Sequence, residues 1–145
     1  MADIPLEVTG ISKGPPLVNV RARQFDIIVD EPPEYGGEDM GPDPCSYFMA
    51  ALVGCISFTG QFVAKEMGFD IGGIEIEVCS TIDLAKFMGQ ETQERAGLKG
   101  IKVKVRVDTD ADDAVLAEWL AKVESRCPIA DNVRSATPLE VSLAR

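Results

Sequence analysis

The most reactive side chains in this sequence are four thiols, Cys45, Cys55, Cys79 and Cys127, in a chain without a histidine. Cys55 lies deep in the uncharged run Cys45–Ala64, and Cys127 stands directly before a proline in Arg126-Cys127-Pro128-Ile129. Together they read as a peroxidatic and a resolving cysteine, the pair of a thiol-based redox enzyme. Cleaving a peroxide needs a thiolate, because the neutral thiol is a poor nucleophile and a free cysteine is only slightly ionised at neutral pH. Burial alone would raise the pKa of Cys55, so something must hold the anion, and the candidates are a nearby arginine or hydrogen bonds from Ser57 or Thr59. Without such a partner, a cysteine inside an apolar helix is most often just a small apolar side chain.

Cys127 has a stronger local case. A cysteine preceding a helix-opening proline sits where unpaired amides and the helix dipole favour negative charge, which predicts a lowered pKa and a good resolving thiol. The plainer role for the same residue is a helix N-cap. Cys45 could be a third redox thiol; it is ten residues before Cys55 on one helix, about 15 Å away, so the two cannot bond directly, while pairing with Cys127 or across a dimer stays open. Cys79 ends a strand and reads as buried filler. No two cysteines have the short spacing that grips a tetrahedral ion, so neither a metal site nor a cofactor is expected.

Composition narrows the setting. The 145 residues suit one domain, 1–145, that buries about two thirds of the surface of its unfolded chain. A net charge of −10, with no concentrated Lys/Arg run, argues against nucleic acid and anionic membrane as partners. The short acidic clusters, among them Asp30-Glu31, read as solvated faces or helix starts. No secretory leader is visible in Met1-Ala2-Asp3-Ile4-Pro5, and the expected compartment is the cytoplasm, where thiols are seldom structural disulfides. Cys45–Ala64 is long enough to cross a bilayer, but Ser46, Ser57, Thr59, Gln61, two glycines and the lack of basic flanks favour a helix buried on nearly all sides within protein. A domain this small cannot surround such a helix alone, so a partner subunit is expected to cover part of it.

The elements that must position the thiols follow from periodicity. Alternating apolar residues predict strands over about 4–30, carrying Leu6, Val8, Val18, Val20, Phe25, Ile27 and Val29. Asp43 is the expected N-cap of a helix over about 44–67, with Pro44 at its first position and Gly68 closing it. Strands and helices follow over about 73–143: strands at Ile74–Val78 and Ile101–Val107, a helix carrying Val115, Leu116, Trp119, Leu120 and Val123 and capped by Asp110 or Asp112, a helical turn from Cys127-Pro128, and a last strand at Leu139, Val141 and Leu143. The segment 84–97 reads as a loop or a short helix. Met40, Met49, Met67, Phe48, Phe58 and Phe62 read as core that could also line an apolar pocket. This element order makes the chain α+β.

The run Asp30-Glu31-Pro32, Gly36-Gly37, Asp39, Gly41-Pro42, Pro44, Ala50-Ala51-Leu52, Gly54-Cys55 resembles the OsmC/Ohr family of osmotically inducible and organic-hydroperoxide-resistance proteins. Cys55 stands eleven positions after Pro44, as in that family, and Cys127-Pro128-Ile129 and Pro138-Leu139-Glu140-Val141 follow in the family's order. The resemblance implies a swapped homodimer whose antiparallel sheets wrap a long buried central helix, with each site at the subunit interface. It also implies an organic hydroperoxide as substrate and a dithiol or lipoyl group as reductant. Carried over residue by residue, Cys55 would become the sulfenic acid, Cys127 would condense with it, and Arg23 would be the basic residue near the thiolate. Alternation puts Arg21 on the same strand face as Arg23, so either could serve. Members with peroxidase activity place a glutamate one or two residues after the helix-opening proline, where this chain has Cys45 and Ser46. That departure suits the alternative, a non-enzymatic member that binds an apolar small molecule or acts in the stress response.

Overall fold

The structure, a computed structural model, describes residues 1–144. Two antiparallel sheets and three α-helices make it α+β, in the order β1 (Thr9–Ser12), β2 (Val18–Ala22), β3 (Phe25–Val29), α1 (Pro44–Met67), β4 (Gly73–Ser80), β5 (Ile101–Asp108), α2 (Asp113–Arg126) and α3 (Pro128–Arg134). It divides into two compact units, one from Met1 to Ala50 and one from Ala51 onward.

In the first unit β1, β2 and β3 form a meander, with Gly10 opposite Val20 and Val20 opposite Ile27. Ala22 pairs with Phe25, so Arg23 and Gln24 form a two-residue turn, and Arg23 takes a left-handed φ of 54°. This corrects the expected shared face of Arg21 and Arg23: the strand ends at Ala22, and period-two alternation does not extend into the turn. Regular pairing starts at Thr9, so Leu6 and Val8 lie outside the sheet.

Asp30 is a second correction. It is 1% exposed, not part of a solvated face. Its carboxylate accepts the amides of Glu31, Glu38 and Met40 at 2.9, 3.1 and 3.0 Å, which folds the loop leading to α1 around one acceptor. Gly37 is required there, because a Cβ would sit 1.7 Å from the Glu31 carbonyl oxygen. α1 then opens as its sequence predicts: Asp43 accepts the Ser46 amide at 3.0 Å, and Pro44 is the first helical residue.

In the second unit α1 ends at Gly68, whose φ of 81° is readily available to glycine. Leu52, Ile56, Thr59, Gly60, Val63 and Ala64 recur at helical spacing and form the buried stripe of α1. That stripe packs with Trp119 and Val123 of α2, with Cys127 and Ala130, and with inward residues of β4 and β5 such as Ile74, Ile76 and Val105. Val63 is fully buried, and removing it from water contributes about 2 kcal/mol. The Trp119 indole donates to the Gly60 carbonyl at 2.8 Å, and a Cβ on Gly60 would lie 2.8 Å from the Trp119 ring, so only glycine allows this approach.

α1 has the length and apolarity of a membrane span, yet its buried stripe serves as core for the second unit. In the single chain Phe58 and Phe62, expected in the core, are 77% and 60% exposed on its other face. β4 and β5 pair in register from Gly73–Asp108 to Ser80–Ile101, with Glu77–Lys104 and Glu75–Arg106 ion pairs across the strands. Segment 84–97 forms no helix. The expected strand at Leu139, Val141 and Leu143 does not form either. These side chains are more than 80% exposed, and alternation creates a strand only where a free edge receives it.

Candidate active site

The second unit brings Cys55 and Cys127 together. Cys55 is on α1, half-buried, one position before Ile56 of the buried stripe. Cys127 is the single extended residue between α2 and α3, with φ −76° and ψ 110°, and serves both helices at once. Its amide closes α2 on the Val123 carbonyl at 3.0 Å, and its sulfur accepts the Ala130 amide at the start of α3 at 3.5 Å. Pro128 forces the break, because it cannot donate to an α2 carbonyl but suits the first turn of a new helix. The result is a thiol 1% exposed that points at α1, with Cys127 Sγ 3.0 Å from Cys55 Sγ. Both are free thiols, and a disulfide requires about 2.05 Å, so bond formation calls for roughly 1 Å of approach.

Cys127 donates its S–H to the Cys55 sulfur. Burial pushes the Cys127 thiol above its ordinary pKa, and the hydrogen bond to Cys55 acts in the same direction. The Ala130 and Ile129 amides pull the other way and are outweighed. The expected lowering of this thiol is therefore overturned: the helix-start amides are present, but desolvation dominates them. Ser57 and Thr59 make no hydrogen bond to Cys55 among the described residues, so the group that stabilises the sulfur here is the second thiol.

A cavity of about 280 Å³ is lined by Leu52 and Ile56 of α1, Val123 of α2 and Ala130 of α3, with Glu124 and Arg134 also on its wall; neither Cys55 nor Cys127 lines it. It is predominantly apolar, and none of Met40, Met49, Met67, Phe48, Phe58 and Phe62 lines it. Phe58 and Phe62 instead flank an open surface groove with Phe69 and Ile71.

The remaining candidate residues are distributed as follows. Arg21 is held by Asp26 at 2.7 Å and by the Arg23 carbonyl at 3.0 Å. Arg23 stacks over the Phe25 ring at 5.3 Å and has no carboxylate partner among the described residues. Cys45 is half-buried in the first turn of α1, where burial raises its pKa and the Asp43 and Glu31 carboxylates raise it further. Cys79 is exposed, contrary to its expected burial, because it falls on the outward phase of β4. Asp30 was missed as a key residue of the α1 entry loop. The signal available was a carboxylate ahead of a Pro-Pro and Gly-Gly loop whose amides lack sheet partners.

Residues 36–142 match the family model of OsmC-like proteins. No curated protein sequence matches the chain. Its fold is similar to that of an OsmC-like protein from Mycoplasma pneumoniae, with TM-score 0.80 and 18% identity over 93% of this chain and 91% of that one. It is also similar to the organic hydroperoxide resistance protein OsmC of Legionella pneumophila, with TM-score 0.64 and 17% identity over 92% of each chain. The organic hydroperoxide resistance protein OhrB of Bacillus subtilis gives TM-score 0.60 and 23% identity over 92% of this chain and 93% of that one. With the family match spanning residues 36–142 and the fold shared over 93% of its length, the chain belongs to the OsmC-like family.

Proposed function

We propose that the protein is a thiol peroxidase that reduces organic hydroperoxides at Cys55, with Cys127 as the resolving cysteine. The observation that carries this reading is the 3.0 Å contact between the two sulfurs, with a buried Cys127 donating its proton to Cys55. The Cys55 thiolate attacks the distal peroxide oxygen, the O–O bond breaks, the alkoxide takes a proton to leave as an alcohol, and Cys55 becomes a sulfenic acid. The Cys127 sulfur then displaces water from that sulfenic acid and a disulfide forms. A dithiol such as a lipoyl group returns both cysteines to thiols and is itself oxidised to a disulfide. An apolar cavity lined by Ile56, next to Cys55 in the chain, and by Ala130, whose amide bonds the Cys127 sulfur, supports alkyl hydroperoxides over hydrogen peroxide as substrates, although neither sulfur lines it. Arg23, which has no carboxylate partner among the described residues, is the cation that the family resemblance offers for the thiolate. The working form is a cytoplasmic homodimer that covers the exposed Phe58 and Phe62. Names of fold neighbours that include organic hydroperoxide resistance proteins support the same substrate class.

A second reading has its own observation. Cys45 and Ser46 stand where the peroxidases place a glutamate, and the apolar cavity could hold a small molecule without any chemistry. Stopped-flow reaction of the reduced protein with cumene hydroperoxide separates the two. The peroxidase reading expects thiol loss orders of magnitude faster than for free cysteine, and faster than with hydrogen peroxide. A rate equal to that of free cysteine would favour the binding protein.

A further inference from the structure

Consecutive residues at the end of α2 reach along α1 in opposite directions. Cys127 turns to Cys55, while Arg126 reaches Glu66, eleven residues further along α1, about three turns away. The Arg126 guanidinium makes both bonds of a fork, at 2.7 and 3.0 Å to the two Glu66 oxygens. Between these contacts the Trp119 indole is fixed to the Gly60 carbonyl, which ties α2 to α1 one side chain deep in the core. Trp119 is seven residues before Arg126, Val123 between them is buried in the same core as the α1 stripe, and the fork adds a further hold at the end of α2. That far end carries Cys127, and neither the fork nor the Trp119 bond involves the sulfur chemistry directly.

We propose that Arg126 and Glu66 are positioning residues that hold the end of α2 so that the Cys127 sulfur returns to Cys55 after each opening of the pair. Such opening is built into the peroxidase reading on which this inference partly rests, because a sulfenic oxygen on Cys55 must fit where the two sulfurs now touch. Cys127 must withdraw to admit it and approach again to expel water. The fork, added to the packing of Trp119 and Val123 on α1, limits that excursion. The ion pair is about half exposed, so its effect is modest and salt-sensitive, and its fork geometry is what lifts it above an ordinary surface pair. Consistent with a formed pair, the Arg126 hydrogen bond holds the Glu66 carboxyl below its ordinary pKa.

The test follows disulfide formation in wild type, Arg126→Ala, Arg126→Glu and the exchange Arg126→Glu with Glu66→Arg. Two oxidants are used. With cumene hydroperoxide, a 1,3-diketone trap reports the sulfenic acid and mass spectrometry reports the disulfide. With diamide, which takes two electrons and two protons from the thiol pair and becomes the hydrazine, the disulfide forms without any peroxide step. Arg126→Ala should slow Cys55–Cys127 bond formation about two- to fivefold with either oxidant, leave the rate of Cys55 sulfenylation unchanged, and lengthen the lifetime of the trapped sulfenic acid. Arg126→Glu should be slower still, and the charge exchange should recover most of the wild-type rate, which a general loss of stability would not do. Wild-type disulfide rates in Arg126→Ala with diamide would overturn the inference even if the peroxidase chemistry stands. A chain that forms the disulfide with diamide at Arg126-dependent rates but never a sulfenic acid would retain the positioning role and sink the peroxidase reading.

Discussion

Cys45 and Cys127 share a local setting and differ in everything around it. Each is next to a proline at the start of a helix, Cys45 after Pro44 in α1 and Cys127 before Pro128 in α3, and burial pushes each thiol above its ordinary pKa. Around Cys45 the further contributors are carboxylates, Asp43 and Glu31, which oppose a thiolate and offer no redox partner. Around Cys127 the neighbour is another sulfur at 3.0 Å, and two amides of α3 face it. A helix start therefore does not make a cysteine reactive. What a thiol can do is set by the groups that tertiary packing brings to it, and only the second unit brings a partner sulfur.

That contrast can be broken most decisively at the partner. Replacing Cys55 with serine should reduce hydroperoxide consumption by about a hundredfold or more, to the level of uncatalysed thiols, because a hydroxyl is no substitute for a thiolate. Activity retained in this variant would assign the chemistry to another cysteine, with Cys45 first in line. Cys127→Ser should be milder in the first step and severe in the second. Cys55 should still be oxidised, its sulfenic acid should accumulate for trapping, and steady-state turnover should fall about tenfold or more. Trp119→Ala tests the packing that aligns the pair. Loss of a fully buried indole and its bond to Gly60 should cost about 3–5 kcal/mol in denaturant unfolding, with disulfide formation slowed in the molecules that remain folded.

The smallest effects belong to the Cys45 end. Cys45→Ser should leave the rate of disulfide formation unchanged, and a clear drop would place Cys45 in the cycle. Asp43→Ala removes the cap of α1 and should cost about 1 kcal/mol. The Ser46 side chain and amide hold the Asp43 carboxyl below its ordinary 3.8, so the folded state binds this proton less readily than the unfolded state. Its contribution is complete above pH 3.8 and fades as pH falls through the lowered folded value, so wild type and Asp43→Ala should converge in stability in strong acid.

Much of this was legible in the sequence because it is local. Asp43-Pro44 and Gly68 mark the bounds of α1 through capping chemistry that depends on neighbouring residues alone, and Cys55 with Cys127-Pro128 stands out against an uncharged run and a helix break. Asp112 proved to be the cap of α2, one of the two aspartates that local reading allowed. The readings that failed depend on distant contacts. The pKa direction of Cys127 follows from its burial against α1, which no local pattern encodes. Asp30 looks like a surface carboxylate until the loop folds three amides onto it. Arg23 follows the alternation of β2 in sequence but falls just past the last paired residue, where the turn decides its direction. Leu139, Val141 and Leu143 alternate correctly and still form no strand, because pairing needs an edge as well as a pattern.

The central claim is that Cys55 and Cys127 form one redox unit, and one titration addresses it most directly. The fully reduced protein is treated with one equivalent of cumene hydroperoxide, quenched by alkylation, and its disulfides are mapped by mass spectrometry. The account predicts one Cys55–Cys127 bond per hydroperoxide consumed, with Cys45 and Cys79 recovered as alkylated thiols. Slow oxidation spread over all four cysteines, or a dominant bond that leaves out Cys55, would contradict it.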